Sequence, residues 1–241
     1  MAKQKPPRLL RRQRNNVLGM EAATYRLNGS EFVGAFATAT DRYVFCGAST
    51  QKKSVEVLEE VLKAKAFPIM VSDSSLIGLL AKANSNGIVL SNLAFEYEVE
   101  RIKSLGLGIN VGVLESDLNA IGSNILANDK IAIINPDYTT SDANVIGDIL
   151  GVEVVKRSIA GLKTVGANNV LTNKGMAVNN RIEEDEKKEL DKITGFDSIR
   201  TTANKGSISI GLSVIANSNS IVVGSETTGY ELDRLLDALE H

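Results

Sequence analysis

At 241 residues, 43% of them hydrophobic and 23% charged, the chain can bury a sizeable core without staples, and its single cysteine, Cys46, excludes an intramolecular disulfide. No stretch approaches the roughly 18 consecutive apolar residues of a membrane helix, so a soluble cytoplasmic protein with no membrane partner is expected. The formal net charge is −2, yet six basic residues and no acid fall in the first 19 positions, leaving 21 basic against 29 acidic residues; a body of that sign gains nothing from counterion release on a polyphosphate, which argues against generic nucleic-acid binding by it.

In chain order, residues 1–19 carry Lys3, Lys5, Arg8, Arg11, Arg12 and Arg14 with Pro6 and Pro7 and little apolar period, and read as a disordered basic arm. Residues 20–241 read as one domain of five units beginning near 32, 76, 120, 164 and 209. An extended segment at 23–27 precedes the first unit. Within each unit an apolar run meets a polar turn and resumes, which predicts a hairpin: residues 77–82, a turn at 83–86 carried by the turn formers Asn84-Ser85-Asn86-Gly87, then 87–90 in the second unit. A helix follows, marked by Val55, Leu58 and Leu62 in the first unit, Phe95, Val99 and Ile102 in the second, and Leu232, Leu235, Leu236 and Leu239 in the fifth. Gly151 and Gly195 read as helix stops, and the acidic run 183–186 as the first turn of the fourth helix. Short extended segments at 68–71, 110–114, 153–155 and 197–200 end the first four units. Each unit is thus β-β-α-β.

The repeat rests on two rulers. Gly34, Gly78, Gly122, Gly166 and Gly211 are spaced by 44, 44, 44 and 45 residues, and Asn84, Asn128, Asn173 and Asn217 by 44, 45 and 44, with Thr40 one period earlier. The glycines predict close approach of converging backbones, and the asparagines predict turns through tolerance of the left-handed region. A helix in every unit excludes an all-β propeller. The fifth unit lacks its last strand and a spare one stands ahead of the first, so the N-terminal strand is expected to complete the fifth unit and close a fivefold disc without open sheet edges.

The Val-Gly and Ile-Gly starts, Thr-Asn-Lys-Gly at 172–175, Thr-Ala-Asn-Lys-Gly at 202–206 and Thr-Thr-Gly-Tyr-Glu at 227–231 resemble the translation initiation factor 6 family, across about 20–239. With no long carboxyl-terminal extension, the chain looks archaeal. The resemblance implies an α/β, pentein-type five-bladed propeller that binds the large ribosomal subunit, blocks its joining to the small subunit and serves its maturation. It also implies a uL14-type protein as the contact, with an L24e-type protein and the sarcin–ricin loop nearby. A monomer with no cofactor, metal, small-molecule substrate or catalytic activity is expected. By motif position the resemblance points to Gly34, Ser74, Leu79, Gly122, Ser123, Asn168, Ala203, Asn204 and Gly211 as ribosome-binding residues. Leu79, Ser123 and Met176 depart from the family pattern. On this reading Gly122→Arg weakens binding in a folded protein.

Two other classes compete. A guanidine-modifying hydrolase of the same fold needs a cysteine nucleophile and a histidine, but here the only histidine is His241 at the chain end, and Cys46 reads as a small buried hydrophobe. An RNA-binding scaffold would act through the basic arm, and a steep salt dependence would reveal it.

Overall fold

The computed structural model describes residues 8–14 and 17–240, with side chains from Met20 onward. It opens on two antiparallel strands, β1 (Arg8–Arg14) and β2 (Val17–Tyr25), with an irregular register between Arg11 and Gln13. The segment expected to be a disordered arm therefore carries a strand; residues 1–7 and 15–16 lie outside the described residues. The reason lies in the backbone. One edge of β2 is taken by the last strand of the chain, and β1 satisfies the N–H and C=O groups of the other, which would otherwise stand unpaired.

Five similar units follow. The first has a 3-10 turn (Val33–Ala35), β3 (Ala37–Ala39), β4 (Tyr43–Gly47), α1 (Lys52–Leu62) and β5 (Lys65–Ile69). The second has α2 (Ile77–Leu80), β6 (Ala81–Ala83), β7 (Gly87–Ser91), α3 (Glu96–Lys103) and β8 (Asn110–Leu114). The third has α4 (Ile121–Asn124), β9 (Ile125–Ala127), β10 (Ile131–Ile134), α5 (Thr140–Leu150) and β11 (Glu153–Lys156). The fourth has α6 (Val165–Asn168), β12 (Val170–Leu171), β13 (Met176–Asn179), α7 (Glu184–Thr194) and β14 (Ile199–Thr201). The fifth has α8 (Ile210–Ser213), β15 (Val214–Ala216), β16 (Ser220–Gly224) and α9 (Gly229–Leu239).

In the first four units the second hairpin strand pairs antiparallel with the first and parallel with the strand beyond the helix. In the fifth, β16 pairs antiparallel with β15 and parallel with β2, Ile221 opposite Ala22 and Val223 opposite Thr24. The third strand of that sheet thus comes from the beginning of the chain. The hydrophobic core is divided into five clusters, each shared by two units: first and second, second and third, third and fourth, fourth and fifth, and fifth and first. Each unit packs against two others.

Three local expectations are corrected. Residues 77–82 do not form a continuous strand: a single helical turn takes the glycine and only 81–83 are extended, a pattern repeated in the other units. A short apolar run does not by itself separate a buried strand from a buried helical turn. Phe95 does not belong to the buried stripe of α3; it caps that helix and is 45% exposed, while Val99 is half-buried and Ile102 buried. The segment placed at 68–71 is β5 at 65–69, an edge strand that tolerates Pro68 because its outer side needs no N–H. Gly151 and Gly195 do stop α5 and α7 in the left-handed region, at φ 62° and 76°. Glu184, Asp185 and Glu186 form the first turn of α7.

Candidate functional site

The five short turns converge. Each begins with a residue at φ between −80° and −87° and ψ near +60°, followed by Val-Gly or Ile-Gly. A Cβ on Gly78 would overlap the carbonyl oxygen of Gly34, one on Gly122 that of Gly78, one on Gly166 that of Gly122, one on Gly211 that of Gly166, and one on Gly34 that of Gly211. The series of contacts returns to its start. Backbone oxygens cannot swing aside as a flexible side chain can, so these positions admit no side chain, and Gly122→Arg cannot serve as a folded variant.

Tight loops lead into this end. They place Asn28 and Gly29, Ser72 and Asp73, Ala160 and Gly161, and Asn204, Lys205 and Gly206 at positive φ, closed by bridges such as Val71 to Ser74 and Ala203 to Ser207. A glutamate at the third position of the adjacent long helix holds three of them. Glu98 accepts from the N–H groups of Ser72 (2.7 Å), Asp73 (2.9 Å) and Phe95 (2.9 Å). Glu186 accepts from Ala160 N (2.8 Å), and Glu231 from Gly206 N (2.7 Å), Thr228 N (2.8 Å) and the Thr202 hydroxyl (2.7 Å). In Glu98 and Glu231 one carboxylate thus caps a helix and fixes a left-handed turn. Burial alone would raise the Glu231 pKa, but the bonds from Thr228, Thr202 and Gly206 outweigh it and hold the carboxyl below its ordinary range. The E of the Thr-Thr-Gly-Tyr-Glu motif is this clamp.

Gly34, Leu79, Gly122, Ser123, Asn168 and Gly211 come together where α2, α4, α6, α8 and the 33–35 turn pack side by side. Ser74, Ala203 and Asn204 lie in the loops that enter it. Their surroundings differ. Ser123 and Asn168 are buried, and Asn168 donates to Thr164 O at 2.9 Å. Ala203 is fully buried. Asn204 donates to the Glu31 carbonyl at 2.9 Å, tying the fifth unit to the first. Ser74 and Leu79 remain partly open. Aromatic residues that the motif-based site assignment left out stand beside these loops. Phe95 and Tyr97 stack with centroids 5.7 Å apart, and the Tyr97 hydroxyl donates to Asp73 at 2.6 Å, which raises its pKa to about 12. Phe32, Tyr97 and Tyr230 are all exposed. The signal for them was available: Tyr97 and Tyr230 each sit one residue before a clamp glutamate.

The hairpin turns occupy the other end. None of the turn asparagines is left-handed. They act instead as side-chain acceptors: Asn84 Oδ1 receives Asn86 N (2.9 Å) and Gly87 N (3.0 Å), and Asn128 and Asn217 do the same. In the fourth unit this role falls to Thr172, whose Oγ1 receives Lys174 N and Gly175 N, and not to Asn173. Asn173 bridges Asp41 and Asp129, which also bind Ser218 and Ser85. Cys46 is buried in β4, and burial pushes its thiol up to about 11, opposite to the shift that activates a nucleophile. His241 lies outside the described residues. Among the described residues no group of three or more His, Cys, Asp or Glu is arranged to hold a metal, and no helix is long and apolar enough to cross a membrane.

Fold and site define an internally repeated α/β protein whose most regular surface is an end of small residues and glutamate-clamped loops. The eIF-6 family model matches residues 22–238, and the chain belongs to that family. It is 40% identical over 211 residues to Translation initiation factor 6 of Picrophilus torridus, covering 87% of this chain and 95% of the relative. It is 39% identical to that of Pyrococcus horikoshii (87% and 94%) and 38% identical to that of Methanocaldococcus jannaschii (88% and 95%). Membership supports a role in translation initiation. A solved dimethylarginine dimethylaminohydrolase, an adduct with S-methyl-L-thiocitrulline, is similar over 87% of this chain and 93% of that one, at 10% identity and a TM-score of 0.44.

Proposed function

We propose that the protein binds the large ribosomal subunit through the end where the short turns converge and keeps the small subunit from joining. The molecule acts as a closed, five-bladed, pentein-type disc, and the mechanism is steric exclusion without chemistry. The observation that carries this reading is the match to the eIF-6 family across 22–238, which spans all five units and their converging glycines. Backbone packed against backbone at five points makes a stiff binder, and a stiff binder loses little conformational entropy on docking. Gly34, Gly122, Gly211, Ser123, Asn168 and Ala203 shape the face from within. Ser74, Leu79 and Asn204, with Phe95 and Tyr97 alongside, offer contacts to a uL14-type protein, near an L24e-type protein and the sarcin–ricin loop. The protein works as a cytoplasmic monomer, also during large-subunit maturation.

Sedimentation through a sucrose gradient tests the reading. Added protein is expected to migrate with large subunits at one-to-one stoichiometry and to lower the joined peak. Migration with neither subunit would reject it.

A further inference from the structure

The inner walls of the five units enclose a cavity of about 70 Å³, lined by the five converging glycines and by residues of β3, β6, β9, β12 and β15. One lining residue, Lys82, is ionisable. Counted from the repeated glycine, its slot holds Thr38, Leu126, Val170 and Ile215 in the other units, all uncharged. The Lys82 ammonium forms no hydrogen bond or ion pair among the described residues. The elements packed on its strand are β3, β7, β9, α2 and α4, and none of them contains an acidic or basic residue. No acid lines this cavity; Asp41 and Asp129 line a separate small one at the turn end, where Ser218, Ser85 and Asn173 occupy them. A cation in a narrow, partly enclosed space without a counter-charge is costly, and a mobile anion is the simplest remedy.

We infer that the central cavity is a binding site for one small monovalent inorganic anion of the halide class, held by the Lys82 ammonium. Single charge and small volume set the class: one cation balances one negative charge, and a bulky organic anion does not fit. Enclosure also pulls the Lys82 amine down from its ordinary 10.5 to about 8. In the anion-free protein the folded pKa lies below the unfolded one, so the Lys82 contribution to stability rises with pH between these values. A bound anion opposes that shift, so the rise is smaller in chloride.

The test exchanges chloride for gluconate at constant ionic strength and pH 7. Tm of the unaltered protein is expected to climb by about 3 °C for each tenfold increase in chloride above the dissociation constant. The climb vanishes in Lys82→Met and in Lys82→Thr, the second reproducing the residue of the first unit. Bromide-soaked crystals of the unaltered protein give an anomalous peak at Lys82 Nζ. A chloride response unchanged in a folded variant, or water alone in the cavity, overturns the assignment.

Discussion

At the scale of single residues, glycine serves two different purposes in this chain. Gly122 has no room for a Cβ, because the Gly78 carbonyl stands in its place, whereas Gly106 is left-handed at φ 62° with open space around it. Gly122→Ala is therefore expected to cost more than about 3 kcal/mol or to prevent folding, and Gly106→Ala about 1 kcal/mol, as measured by urea denaturation. Glu231 gives a second prediction. Its folded pKa lies below the ordinary 4.5, so its contribution is fully present above that value and is lost as pH falls through the lower folded value. Glu231→Gln is expected to lose about 1–2 kcal/mol at pH 7 and to flatten the acid limb of stability against pH. The repeated glycines were legible in the sequence as a period, but their partners were not, since a glycine's neighbour 44 residues away leaves no local mark. The left-handed reading of the asparagines failed for a related reason. Asparagine suits such turns both by its backbone freedom and by its side-chain oxygen, and composition does not separate the two.

At the scale of elements, the hairpin turns do more than reverse the chain. Asn84 donates to Asn128 O at 3.0 Å and to Leu150 O at 2.8 Å, so one turn residue of the second unit caps the last helical carbonyl of the third. Asn217 repeats this toward Thr40 and Leu62, across the ends of the chain. Asn84→Ala removes two accepted and two donated bonds in a buried site, and is expected to lower stability by about 2–4 kcal/mol in urea denaturation. The first turn of α3 was only half legible. Phe95 fits a helical stripe by spacing, yet the cap turns it outward, because the stripe begins one turn later with Val99. Tyr97→Ala leaves most of the packing untouched; less than about 1 kcal/mol of stability should go, together with a measurable loss of large-subunit binding in co-sedimentation. Equal binding by the variant would remove the aromatic pair from the docking face.

At the scale of the whole molecule, the fold joins both sequence neighbours and chain ends, and the second kind of contact is slow to form because it closes a long loop. The pairing of β2 with β16 joins residues about 200 positions apart in sequence. Strand-breaking substitutions in β2, such as Ala23→Pro, are expected to destabilise the protein as severely as a core cavity and to abolish subunit binding, read by circular dichroism and by the gradient together. A folded, binding-competent variant would show that this pairing is dispensable. What the sequence determined alone was the period, the number of units, the succession of hairpin, long helix and closing strand within a unit, and the family, because spacing, turn chemistry and helix stops act between residues near in the chain. Tertiary structure decided which turns are helical, which carboxylate clamps which loop, and where Lys82 lies. Those outcomes depend on atoms brought together from different units, and a repeating pattern specifies that such meetings occur without specifying what each one contains.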